Sequence, residues 1–257
     1  MMPQIPGEVS LLALGACALA ALVAGFVKGA VGFAMPMIMI SAFGAFLKPE
    51  LALAALILPT VAGNLWQAFR QGWRAAWRSV VAFRWLIGTL LLTIAASAQL
   101  VGRLTPGRFF LLIGIPVVLF ATLQLAGLRL RIRTGQQTRA QVVAGLAGGF
   151  SGGISGVWGP PVVAFLSATD SPPADQMRVQ GVIYGAGSLV LLAAHLESGV
   201  LNGQSTWLSA LLVAPAAAGM ALGFRLQARL DQERFRRVML VVLALAGLNL
   251  IRRGLTG

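Results

Sequence analysis

Eight stretches of this sequence run for 18 residues or more without a charged side chain. They lie between Glu8 and Lys28, Lys28 and Lys48, Glu50 and Arg70, Arg84 and Arg103, Arg108 and Arg129, Arg139 and Asp170, Arg178 and Glu197, and Glu197 and Arg225. A further run, from Arg237 to Arg252, has 14. A helix needs about 20 apolar residues to cross a bilayer, with about 17–25 acceptable. The charge spacing therefore predicts an all-α, polytopic membrane protein forming a single membrane domain over residues 1–257. A transmembrane β-barrel would alternate polar and apolar residues in strands of about ten, and that alternation is missing. Only 11% of the residues are charged and 58% are hydrophobic. That is too little charge to coat a water-facing surface and too much hydrophobicity for disorder. The net charge of +13 fits basic loops on the inner side of a membrane, and no nucleic-acid partner is expected.

Cys17 is the single cysteine, which excludes a disulfide framework and a cysteine-rich metal site. No cofactor and no metal are expected. Leu14-Gly15-Ala16-Cys17 has the form of a lipoprotein processing box. Residues 1–8 carry no positive charge, however, and the apolar run continues to Val27. The N-terminal segment therefore reads as a retained membrane helix.

The sequence repeats. A shift of 127 residues places Gly25 on Gly152, Gly29 on Gly156 and Gly32 on Gly159, so that Ser155 falls opposite Lys28. The halves are then about 1–130 and 131–257. Charges and helix breakers divide the first into segments near 9–27, 30–47, 51–69, 80–101 and 109–128. The second divides into 140–157, 159–169, 178–196, 206–224 and 237–252. Gly159-Pro160-Pro161 interrupts its longest run, and Gly32 to Pro36 is the paired interruption. Eight to ten segments result, depending on which of them re-enter the membrane rather than cross it.

Lys and Arg placement gives the orientation. Alternation from the loop containing Arg70, Arg74, Arg78 and Arg84 puts 15 of the 20 basic residues, Lys28 and Arg178 among them, on the cytoplasmic side. An odd number of segments per half makes the second half enter the membrane upside down relative to the first. Inverted repeats of this kind are characteristic of secondary transporters.

All seven acids lie at segment ends or in loops. A proton relay of embedded carboxylates, or cation selection by them, is therefore not expected. The inventory suits an anion. Lys28, within the first glycine cassette, reads either as a charge that attracts an anionic substrate or as an interfacial lysine snorkelling to the cytoplasmic surface. The cassettes Gly25/Gly29/Gly32 and Gly152/Gly156/Gly159, the latter followed by Pro160, either expose backbone N–H groups to a substrate or let helices pack closely. Asn64 and Gln67, with Trp66 beside them, and Gln180 and Tyr184 in the matching segment, are candidates to hydrogen-bond a bound anion or a neighbouring helix. Trp73, Trp77 and Trp85 read as interfacial anchors. Gly153-Ile154-Ser155-Gly156 has the form of an intramembrane serine protease motif, and His195 is the only histidine, so a Ser155–His195 dyad is the weaker enzymatic alternative. No catalytic residue is otherwise expected. A passive anion channel would share the same positive potential.

The stretch Gly25-Phe26-Val27-Lys28-Gly29-Ala30-Val31-Gly32-Phe33, together with Gly148 to Pro161, resembles the TauE/SafE family of sulfite and organosulfonate exporters. The resemblance extends through both halves. It implies a multi-pass carrier of the bacterial inner membrane for small sulfur-containing or carboxylate anions. Its expected partners are the lipid bilayer, the anion and, as one option, further copies of the chain. The family's pattern often has three consecutive glycines after each cassette, where this sequence has Gly32-Phe33-Ala34 and Gly159-Pro160-Pro161.

Overall fold

The computed structural model describes residues 9–100, 103–127, 132, 135–169, 173–229 and 231–256. Glu8, Arg129, Arg131, Arg133 and Asp170, which the charge spacing puts at segment ends, lie outside them. The described residues form α-helices and no strand. In the first half these are α1 (Leu11–Val31), α2 (Met35–Phe43), α3 (Pro49–Phe69), α4 (Trp73–Ala82), α5 (Arg84–Ala98) and α6 (Pro106–Leu125). In the second they are α7 (Gln137–Ser155), α8 (Gly159–Ser167), α9 (Pro173–Glu197), α10 (Gly203–Leu226) and α11 (Gln232–Thr256). Six are long and apolar enough to cross a membrane: α1, α3, α6, α9, α10 and α11. A seventh span results if α4 and α5, bent by 82° at Phe83, count as one.

Two expected segments change shape. The segment 80–101 is the end of α4 plus α5. Helix α4 buries only Ala75, Ala76 and Ser79 and leaves Trp73 and Trp77 exposed, an amphipathic pattern that, with Arg74 and Arg78 beside the tryptophans, suits a membrane interface. The segment 30–47 shrinks to the nine residues of α2 because the chain turns left-handed at Gly32 and again at Ala34. Gly32 ends α1 at φ 89°, its N–H bonding Lys28 O at 2.7 Å. Gly156 ends α7 at φ 71° in the same way, its N–H bonding Gly152 O at 2.7 Å. Glycine takes this conformation without the Cβ clash that other residues meet. Pro36 and Pro160 then sit in the first turns of α2 and α8, where a missing N–H costs nothing.

These breaks correct the repeat register. Gly32 and Gly156 are 124 residues apart, as are the starts of α2 and α8, both nine residues long, and of α3 and α9. Gly25, Gly29, Gly32 and Pro36 therefore match Gly149, Gly153, Gly156 and Pro160. The 127-residue frame arises because α7 is dense in glycine: 149/153/156 and 152/156/159 have the same spacing. In the structural register Lys28 matches Gly152, and Ser155 matches Val31.

The packing obeys the repeat. Helix α1 lies along α10 as its counterpart α7 lies along α5, and both pairs run parallel. The matched helices α3 and α9 pack antiparallel: Gln67 meets Met177, and Asn64 meets Tyr184. The pair α6 and α11 is antiparallel too, Gly254 facing Gly107 and Gly247 facing Gly114. The second repeat is thus inverted relative to the first, and the two breaks lie toward opposite ends of the α3–α9 pair. Large apolar side chains such as Leu12, Leu19, Leu92 and Leu245 point outward, the surface expected of a bundle embedded in lipid.

Candidate functional site

The centre of the molecule is the seam between α3 and α9, closed off by the ends of α1 and α8. Glycine sets how tightly it closes. Ideal Cβ atoms on Gly25 and Gly29 would collide with the backbone oxygens of Ala216 and Met220. On α7, Cβ atoms at Gly149 and Gly153 would come within 2.6 Å of Leu90 O and 2.7 Å of Ile94 O. These four glycines let α1 and α7 lie directly on α10 and α5. At Gly152 a Cβ would stand 2.7 Å from Cε3 of Trp158, which fills the second break and is 1% exposed.

Lys28 is buried at 1% exposure. It does not snorkel to the surface, so it leaves the tally of cytoplasmic loop charges. Its Nζ lies 5.6 Å from the Tyr184 ring centroid, and its stem passes Gly63, where a Cβ would be in ordinary contact with Lys28 Cε at 3.5 Å. A cation over an aromatic face gains modestly, far less than an ammonium loses on leaving water. No carboxylate among the described residues forms an ion pair with Lys28.

Around Lys28 the seam carries buried polar groups. Asn64 Nδ2 donates to Tyr184 O at 3.1 Å. Gln67 Nε2 donates to Gly32 O at 3.0 Å and to Met177 O at 2.8 Å. A Cβ on Gly32 would lie 2.9 Å from Gln180 Oε1 and 3.2 Å from Gln67 Nε2. Tyr184 stands beside Trp158, ring centroids 6.1 Å apart, and its hydroxyl faces Gly159. Five buried atoms of this seam have no hydrogen-bond partner: Thr60 Oγ1, Asn64 Oδ1, Gln67 Oε1, Gln180 Oε1 and the Tyr184 hydroxyl. Each such group left unpaired costs about 1–3 kcal/mol, and five of them along one seam beside an uncompensated cation form an arrangement that a polar ligand would complete.

The structure thus brings together Lys28, Gly32, Asn64, Gln67, Gly159, Gln180 and Tyr184. Gly25 and Gly29 face α10 instead. Gly152 and Gly156 belong to the second break, where a Cβ on Gly156 would approach Leu56. Pro160 is buried in the first turn of α8. The Ser155 hydroxyl donates to Ser151 O at 2.7 Å and accepts from Val157 N at 3.2 Å, capping the end of α7. His195 is hydrogen-bonded through Nδ1 to the Ser198 hydroxyl, 3.4 Å away, so Ser155 and His195 are not paired as a dyad. Thr60, Gly63 and Trp158 join the site with no local mark in the sequence. The signal for Thr60 is the repeat itself, since 124 residues separate it from Tyr184, and both hydroxyls are buried and unpartnered.

At the basic end of the seam a cavity of about 310 Å³ reaches Gln67 from outside, passing Arg70 and Arg178. The helix breaks and the seam lie within residues 17–250, the stretch that matches the family described as Sulfite exporter TauE/SafE. No curated protein and no solved structure matches the chain. With nearly its whole length matched, the chain belongs to the sulfite exporter TauE/SafE family, a family of membrane transporters.

Proposed function

We propose that this protein is a secondary carrier that exports a small oxyanion (sulfite, an organosulfonate or a related carboxylate) across the bacterial inner membrane by alternating access. The observation that carries the reading is Lys28, buried without a carboxylate partner beside five unpartnered polar atoms. An ionisable residue within a membrane bundle is a functional-site hypothesis by default. An anion supplies the missing countercharge, the Tyr184 hydroxyl donates to one of its oxygens, and Thr60 donates from the matched position. Acceptors at Asn64 and Gln67 hold any proton the anion carries. The N-terminus of α2, following the break at Gly32, adds the positive end of a helix dipole.

The inverted repeats supply the motion. Rocking of one repeat against the other exposes a central site alternately to the two sides. The acids Asp175 and Glu197 lie at the ends of α9, Glu50 opens α3, and Asp231 and Glu233 flank the start of α11, so among the described residues no carboxylate is placed for a proton relay. None is needed, since moving one negative charge out of a cell gains about 2.3 kcal/mol per 100 mV.

Proteoliposomes loaded with sulfite, sulfoacetate, taurine or simple carboxylates test the reading. Saturable efflux with counterflow, accelerated by an interior-negative potassium diffusion potential, is expected for at least one of them. Currents at channel rates, or strict proton coupling traced to an embedded carboxylate, would overturn it.

A further inference from the structure

The cavity at the basic end is built from three helices and the turn after α10. Arg70, which follows α3, stands over the Phe224 ring of α10, its guanidinium carbon 4.1 Å from the centroid, and its Nη1 donates to Gln227 Oε1 at 3.3 Å. Arg178 of α9 is tethered at three points. Its Nη1 donates to Asp175 Oδ1 and to Gln71 Oε1, both at 2.6 Å, and its Nε donates to Ser79 Oγ at 3.1 Å. Both guanidinium groups line the cavity. Asp175 is the one carboxylate among these contacts, so two positive charges share one negative charge. A guanidinium has five N–H donors in a fixed fork, and the contacts described leave donors over on both.

The floor of the cavity is Gln67. Its side chain lines the cavity and also bonds Gly32 O and Met177 O. It therefore lies between the cavity and the seam that holds Lys28. A volume of about 310 Å³ falls within the range of small-molecule sites.

We propose that this cavity is a second binding site, a loading site on the cytoplasmic side in which Arg70 and Arg178 grip the oxygens of a free oxyanion before it passes Gln67 to the seam. Only the direction of passage rests on the carrier reading; the binding of an oxyanion rests on the two arginines. The arginines are held by neighbours rather than by each other, so the site is preorganised, and an incoming anion meets donors that need no reordering. Sulfonate and carboxylate headgroups both match the fork geometry of the guanidinium.

The test uses the full chain carrying Cys17→Ala and Met177→Cys, which places one thiol in the cavity wall. The purified protein in neutral detergent is treated with N-ethylmaleimide while methanesulfonate replaces chloride at constant ionic strength. Methanesulfonate is expected to slow labelling in a saturable way. Arg70→Gln and Arg178→Gln are each expected to raise the half-protecting concentration by about tenfold. Gel filtration checks folding; if Arg178→Gln does not fold, Arg70→Gln decides. Absence of protection, protection unchanged in the arginine variants, or protection by phosphatidylglycerol but not by methanesulfonate would overturn the proposal. Protection without flux of any of the anions screened in proteoliposomes would sink the carrier reading and leave the site standing. Flux without protection would sink the site alone.

Discussion

At the first helix break, α1 ends with Lys28 one turn before Gly32. At the second, α7 ends with Gly152 one turn before Gly156, and the indole of Trp158 presses against that glycine. The backbone device is the same in both: a left-handed glycine, a short gap, a proline in the first turn and a nine-residue helix. The chemistry is opposite. One break holds a buried cation, and the other is filled by the largest apolar side chain in the chain's core. Both converge on Tyr184, with Lys28 over its ring and Trp158 beside it. Duplication thus supplied two equivalent breaks, and divergence made one polar and the other a packed wall. A symmetric fold with an asymmetric site can bind one anion between its repeats rather than one in each.

Breaking this contrast at Lys28 should have the largest effect. Lys28→Met removes a charge held without a carboxylate partner, so sulfite flux should fall about a hundredfold, the loss of a charged hydrogen bond of about 3 kcal/mol. The same change should raise Tm in detergent by about 2–5 °C, because a desolvated charge is replaced by a methionine that suits its pocket. Retained flux would make the two breaks functionally alike and remove Lys28 from the site.

The next test is at the filled break. Trp158→Ala should cost about 3–5 kcal/mol by opening a cavity, seen as a lowered thermal midpoint. Gly152→Ala alone should also destabilise, since its Cβ would meet the indole. Combined with Trp158→Ala it should not, which predicts a favourable coupling of about 1 kcal/mol or more in the double-mutant cycle. Additive losses would show that Trp158 does not wedge against Gly152.

The smallest expected effect concerns backbone strain. Ala34 holds φ 76°, the one positive φ at a non-glycine among the described residues, and that conformation costs an L-residue about 1–2 kcal/mol. Ala34→Gly should therefore stabilise by about 0.5–1 kcal/mol, after subtracting glycine's extra chain entropy. Its counterpart Trp158 sits in the right-handed region, where glycine would bring no such gain. A neutral or negative shift at Ala34 would show that the strain is absent or compensated by neighbours.

Much of the fold was legible because it rests on counting. Charge-free runs of membrane length marked α1, α3, α6, α9 and α10, and the glycine frame marked a duplication. The register was misread because α7 offers the same glycine spacing twice; the proline pair Pro36 and Pro160 favours the 124-residue frame, and the left-handed turns at Gly32 and Gly156 fix it. The candidate site was half legible. Asn64, Gln67, Gln180 and Tyr184 stood out as polar residues in apolar segments. The cavity arginines read as ordinary loop charges, since nothing local shows that Phe224 and Gln227 come to meet Arg70.

By itself the sequence determined that this chain is a bundle of membrane helices. Charge cannot enter lipid without compensation, so the positions of 27 charged residues divide the chain into segments. Only the tertiary structure decided which glycines break helices and which let them touch, and whether Lys28 reaches the interface or stays inside. Both depend on neighbours more than 100 residues away in the chain: Met220 against Gly29, and Tyr184 beside Lys28 at the first break. A glycine's spacing is local, but what occupies the space it leaves is not.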